Sequence, residues 1–275
     1  MLTVRSLTPV MGAEITDVDL NTLDDALASD LRHLLADRGV LVIRDQNLDR
    51  EAHKRVAACF GTGELHQHPL AKAAGSGDSV VLPIRTTASS AFAPGEGWHT
   101  DVSCDVTPIA ASLLYMREMP ASGGGDTMFA SMTEAYALLS DPMKAFISSL
   151  SALHDGALPW RVGYGKEPDA GMAFNRTVHP VVIAHPQNGK PLLWVNRGFT
   201  TRIEGLSPTE SRALLDMLFH HIEATPRLQC RVTWAPNTLV IWDNIATQHH
   251  AVWDYFPHTR YAERVSVIGG ELKAA

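Results

Sequence analysis

Cysteine is scarce in this 275-residue chain: Cys59, Cys104 and Cys230 are all it has. Three widely spaced thiols with no CxxC pair exclude a disulfide framework and a thiolate zinc site. Positive charge is also short, with 23 Lys and Arg against 30 Asp and Glu and a formal net charge of −7. No basic surface argues for nucleic acid or an anionic membrane as partner. An anionic small molecule would have to be captured by local arginines, because the overall field repels it. No uninterrupted apolar run approaches the roughly 18 residues of a membrane span. The N-terminus, MLTVRSLTPVMGAEITDVDL, carries acidic residues early and lacks a long apolar stretch. No secretory leader is therefore expected, and a reduced cytoplasm is the expected compartment. Internal repeats and low-complexity runs are absent too. The remaining composition, 45% apolar and 19% charged, is that of an ordinary globular protein long enough for a sizeable core.

The local signals predict many short strands with a few helices around them. Leu27, Leu31, Leu34 and Leu35 recur at helical spacing in residues 24–38, and Gly39 follows as a C-terminal cap. VLVIR (40–44) reads as a buried strand, and Arg50–Phe60 as a second helix stopped by Gly61. Ser131 with Glu134, and Ser207 with Glu210, are capping boxes; Pro142 and Pro208 suit first-turn positions. The helix after Ser207 puts Leu214, Leu215, Leu218 and Ile222 on one face. PVVIAH (180–185), LLWVN (192–196), RVTW (231–234), LVIW (239–242) and RVSVIG (264–269) read as strands between turn residues. This pattern predicts a mainly β fold of jelly-roll type with peripheral helices, and one domain over 1–275. Residues 62–98, rich in Gly, Ser, Thr, Ala and Pro, read as a long irregular segment and hence a substrate lid.

Thirteen histidines are present, and most read as surface or hydrogen-bonded residues. Chemistry concentrates at WHTDVS (98–103), where alternation along an extended backbone lets His99 and Asp101 face one ion. LVIWDNIATQHHAVWDY (239–255) offers His249 or His250 as a third ligand. Two imidazoles and one carboxylate leave coordination positions open, as a non-haem Fe(II) centre requires. His66-Gln67-His68 is a rival pair with the same spacing.

WHTD at 98–101, GGDT at 124–127 and WDNxxxxHxAxxDY at 242–255, followed by Arg260 and Arg264, together resemble the TauD/TfdA family. The resemblance runs from Gly12 to Gly269. It implies a double-stranded β-helix fold, with Fe(II) as cofactor and 2-oxoglutarate and O₂ as co-substrates. Hydroxylation of a C–H bond in a small to medium organic anion would accompany formation of succinate and CO₂. It selects His249 over His250 as the third ligand and gives Asp243 and Asn244 a supporting role behind the metal. Arg260, eleven residues after His249, would pair the distal carboxylate of 2-oxoglutarate with help from the Thr127 hydroxyl. A guanidinium meets a carboxylate in a two-pronged geometry that lysine cannot supply. Arg264 and His68 would hold the anionic head of the primary substrate.

Two positions depart from the taurine enzymes, which carry a tyrosine where this chain has Ala71 and an asparagine where it has Gly95. CRVTW and TVHPVVIAHP look closer to the herbicide-type members. These departures lead to an expected substrate of aryloxyalkanoate type, with an alkyl sulfonate or sulfate ester second. The rival readings are a zinc hydrolase using the same three ligands and a non-catalytic metal-binding module. A homodimer or homotetramer is compatible with either.

Overall fold

Val40–Ile43 and Leu239–Asp243 are buried along their whole length. Runs of that kind fit only the interior of a sheet covered on both faces. In the computed structural model, which describes residues 2–68, 71, 77–164 and 173–275, they are neighbours in a seven-stranded sheet. The strand order is Thr3–Ser6, Ala13–Thr16, Val40–Ile43, Leu239–Asp243, Ile109–Glu118, Arg260–Ile268 and Leu82–Thr86. A second sheet, ordered Gln229–Val232, Thr127–Ser131 and Thr247–Ala251, packs on its inner face. The strands pair antiparallel, apart from Ala13–Thr16 with Val40–Ile43. This is the expected jelly-roll arrangement.

Alternation along the strands sorts side chains between two cores. Leu41, Ile43, Leu113, Tyr115, Ile241, Val265 and Val267 face outward, where the helices Asp25–Arg38 and Arg50–Ala57 cover them. Val40, Val42, Leu114, Met116, Val240, Trp242 and Ala262 face inward against Phe129, Cys230 and Val232. The same period of two puts Arg260, Ala262, Arg264 and Ser266 on the inner face. A polar site is thereby built into one end of an apolar sandwich. A third cluster joins the helix Pro208–Glu223 to Leu192, Leu193, Trp194 and Ile203. Each fully buried aliphatic side chain contributes roughly 1.5–3 kcal/mol over its exposed state.

The helix signals stand close to where the sequence puts them. Gly39 caps the first helix in the left-handed region, with φ of 71°. Ser207 and Glu210 form the reciprocal capping box. Ser131 caps Met132–Ala137 by accepting from the Glu134 N–H, and Ser140 caps Asp141–Ile147. The longest strand, Ile109–Glu118, has no sequence signature. IAASLLYMRE lacks alternation and has one β-branched residue, Ile109, and burial on both faces overrides its local preference. The expectation of an irregular 62–98 is corrected by Leu82–Thr86, an edge strand paired with Arg260–Ile268. Pro83 is tolerated there because an edge strand needs fewer N–H donors. Residues 69–70 and 72–76 of the expected lid lie outside the described residues. Among the described residues, no helix is long and apolar enough to cross a membrane.

Candidate metal centre and anion pockets

His249 sits in the strand Thr247–Ala251, and His99 forms an isolated antiparallel bridge with it. The two backbones exchange hydrogen bonds of 3.1 and 2.9 Å, so the rings stand side by side with centroids 4.1 Å apart. The chain then turns, with Thr100 donating to the Thr247 carbonyl, and brings Asp101 between them. Asp101 Oδ1 lies 3.8 Å from His99 Nε2, and Oδ2 lies 3.9 Å from His249 Nε2. Those gaps exceed hydrogen bonds and leave room for an ion. One ligand atom from each residue lies within 4.8 Å of the others.

The donor chemistry fits Fe(II). His99 Nδ1 is 2.8 Å from the Gly97 carbonyl, so Nδ1 is the donor there and Nε2 is turned toward Asp101. Burial, and then the charge of His99, push the His249 imidazole well below its ordinary pKa, partly offset by Asp101. It is therefore neutral, as a ligand must be. Burial alone would raise the Asp101 carboxyl, but Arg264, His249 and His99 outweigh it and hold the group well below the usual carboxylate range. Asp101 thus stays ionised at any working pH. His250, next along the strand, points the other way and packs on Trp98 with centroids 5.7 Å apart.

Several polar side chains hold this turn. Asn244 accepts from the Asp101 N–H at 3.0 Å and donates back to the Asp101 and Ile109 carbonyls. Asp243 holds the turn carrying Asn244 by accepting from the Ile245 and Ala246 N–H groups and from His185 Nε2 at 2.8 Å. The expected support of the metal by WDN thus has a geometric basis, one bond removed from the ligand. Ser112 is a residue the sequence did not reveal. It donates to Asp101 Oδ2 at 3.1 Å and lies 2.9 Å from Ser266. Its one signal is a lone serine within the apolar run at 109–116.

Arg264 lies beside the metal site, donating to Asp101 Oδ1 at 2.7 Å. His66 and His68 stand nearby, with ring centroids 6.0 Å apart. Burial, then the Arg264 charge, push His68 down to about 4. The anion clamp expected from Arg264 and His68 therefore carries one positive charge, on Arg264, with a neutral imidazole at His68. Gly95, with φ of 87°, sits over the metal site: a Cβ there would lie 3.6 Å from both His99 Cε1 and Ala251 Cβ. Ala71 is fully buried.

The second pocket is built around Arg260. This residue is 6% exposed, and its Nε donates to the Gly125 carbonyl at 3.1 Å. Among the described residues, no carboxylate lies within ion-pairing distance. Burial lowers its pKa. The guanidinium lies 5.6 Å from the Trp234 ring centroid, and Trp234 Nε1 donates to Thr127 Oγ1 at 3.0 Å. The Thr127 hydroxyl hydrogen thus remains to be donated to a ligand. All three glycines of GGGDT have positive φ, and two are also closely approached: a Cβ at Gly125 would meet Arg260 Cδ at 3.0 Å, and one at Gly124 would meet Asp254 Oδ1 at 2.6 Å. Asp254 in turn accepts from the Gly125 N–H at 2.7 Å. Thr127 pairs with Ala251 and Phe129 with His249. Thr127 is therefore a diagonal neighbour of His249 across the two strands, roughly 7–8 Å away. That is the scale of a five-carbon diacid.

Residues 3–266 match the family model described as taurine catabolism dioxygenase TauD, TfdA family. An alpha-ketoglutarate-dependent sulfonate dioxygenase of Saccharomyces cerevisiae is 34% identical over 96% of this chain, which spans 66% of that relative's length. An (S)-phenoxypropionate/alpha-ketoglutarate dioxygenase of Sphingobium herbicidovorans is 30% identical over 91% of this chain and 90% of its own. A crystal structure of a taurine dioxygenase from Burkholderia xenovorans superimposes with a TM-score of 0.84 at 32% identity, covering 98% of this chain and 90% of that one.

Proposed function

The chain belongs to the TauD/TfdA family, and from that premise we propose that His99, Asp101 and His249 hold the Fe(II) of a 2-oxoglutarate-dependent dioxygenase acting on an organic anion. The single observation that carries this reading is Arg260. A buried guanidinium without an acidic partner among the described residues, beside a threonine hydroxyl free to donate, is costly unless an anion completes it. Bound Fe(II) supplies the activation of O₂ and the oxidation of the substrate C–H bond, coupled to conversion of 2-oxoglutarate to succinate and CO₂. The residues do the rest. Arg260 and Thr127 orient the co-substrate through its distal carboxylate. Ser112 and Asn244 hold Asp101 in place. Arg264 and His68 take the head group of the primary substrate and aim its body past Gly95. A zinc hydrolase would leave Arg260 and Thr127 with no acid to bind.

The substrate proposed is a bulky carboxylate of aryloxyalkanoate type, with alkyl sulfonates and sulfate esters second. Small side chains at Ala71 and Gly95 support this, since neither offers a polar partner to the amine of taurine. Burying that amine unpaired would cost a few kcal/mol, about a hundredfold in selectivity. The test is a panel of aryloxy acids, sulfonates and sulfate esters, scored by succinate formed with Fe(II) and 2-oxoglutarate. No succinate with any anion, or turnover that needs Zn(II) and not 2-oxoglutarate, would remove the proposal.

A further inference from the structure

Val102, directly after the ligand Asp101, has φ of 49°. A β-branched residue in the left-handed region is strained, and such strain persists only where the surroundings impose it. On its N-terminal side the turn is held by Asn244, through the Asp101 N–H and carbonyl. On its C-terminal side it is held by Ser103, which is fully buried. The Ser103 hydroxyl lies 2.9 Å from Asn196 Nδ2 and 3.0 Å from His154 Nδ1. With Asn196 donating into its oxygen, that hydroxyl donates to the imidazole.

Asn196 itself is the hub of a tight loop. Its N–H donates to Thr200 Oγ1 at 2.9 Å, and its Oδ1 accepts from the Phe199 N–H at 2.9 Å. The same loop carries Gly198, where a Cβ would lie 2.7 Å from the His99 Cβ. One loop therefore abuts the backbone of one metal ligand and grips the residue two beyond another. Burial, then the charge of His179, push His154 down to about 3, so it is a neutral acceptor throughout the working range.

We propose that Asn196, acting through Ser103 against the ring of His154, is a positioning residue that holds Val102 in its strained conformation and so keeps Asp101 aimed at the metal beside His99. The inference rests on the assignment of His99, Asp101 and His249 as the iron ligands. Loss of such a partner behind a metal ligand typically costs roughly 10- to 100-fold in metal affinity.

The test is titration of the metal-free full-length chain with Co(II), read from its visible absorption bands, with thermal unfolding measured alongside. Wild type should bind one ion per chain and Asp101→Ala should not; failure of that control would refute the ligand assignment and not the role of Asn196. With the control intact, Asn196→Ala should weaken Co(II) by about 10- to 100-fold and alter the bands. Ser103→Ala, which removes the same grip at its other end, should do likewise and serves if Asn196→Ala does not fold. Glycine adopts the left-handed region without strain. Val102→Gly added to either variant should therefore restore most of the affinity. A merely structural contribution to folding would not be repaired by a more flexible residue. Wild-type Co(II) affinity and bands in both single variants, or no recovery in either double variant, would overturn the proposal.

Discussion

Replacing Arg260 with alanine tests the co-substrate pocket at its centre. The guanidinium is buried 5.6 Å from the Trp234 ring centroid and spends its Nε donor on the Gly125 carbonyl, and among the described residues its terminal nitrogens have no hydrogen-bond partner. Truncating one partner of a buried, hydrogen-bonded charge pair costs about 2–5 kcal/mol. At about 1.4 kcal/mol per tenfold, 2-oxoglutarate should bind roughly 30- to 4000-fold more weakly. Arg260→Lys should fall between, because it keeps the charge and loses the fork. Thr127→Val removes one neutral hydrogen bond and should cost only about 0.5–1.5 kcal/mol. A second consequence has the opposite sign. Without ligand, the buried cation lacks an ion-pair partner among the described residues, so Arg260→Met should leave the ligand-free chain as stable as wild type or more so. Wild type should then gain about 2.7 kcal/mol from 2-oxoglutarate at a hundred times its Kd, and Arg260→Met about 1 kcal/mol or less at the same concentration. Anaerobic calorimetric titration of the Mn(II)-loaded chain gives the affinities, and thermal unfolding with and without 2-oxoglutarate gives the rest. Unchanged affinity in Arg260→Ala with metal still bound would refute the assignment.

His99→Ala, Asp101→Ala and His249→Ala should each abolish succinate formation, whereas His250→Ala should keep bound iron and much of the activity; metal content and turnover together decide, and the reverse pattern for His249 and His250 would overturn the choice. Burial would raise Glu263, but hydrogen bonds from Tyr261, Arg50 and Arg117 bring it down to about 2 from an ordinary 4.5. Its folded value is depressed, so its contribution is fully present above about pH 4.5 and is lost as pH falls toward 2. Unfolding midpoints across that window should fall more steeply for wild type than for Glu263→Gln, and parallel curves would refute it. Steady-state kinetics should favour bulkier anions over taurine; a clear preference for taurine over all of them would show that other residues fill the space over Gly95.

Local physics made much of this protein legible before its tertiary structure. Capping residues marked the helices within a few positions because a cap satisfies N–H groups only a few residues away. His99 and Asp101 were visible as a spaced pair, and Arg260 and Arg264 stand on one face because a strand repeats every two residues. The choice between His249 and His250 needed the pattern of the whole motif, since both are imidazoles after the same strand. The geometry then separated them by side: one ring faces Asp101 and the other Trp98.

Other parts could be decided only by the folded chain. Ile109–Glu118 is a strand because it is covered on both faces, which no property of IAASLLYMRE announces. Ser112 and Asn196 are single polar residues beside apolar runs, and each bonds to a serine far along the chain, Ser266 and Ser103. Such hydrogen bonds carry no periodicity, so nothing local distinguishes them from ordinary polar residues at a strand end. Trp234 reads as the end of a strand until Arg260 lies over its ring and Thr127 accepts its N–H. The strain at Val102 is the clearest case. A valine prefers extended backbone, and the turn that puts it in the left-handed region is held by Asn244 on one side and Ser103 on the other. Residue types and spacing determined which groups could meet a metal and two organic acids; burial and long-range pairing determined where they are held.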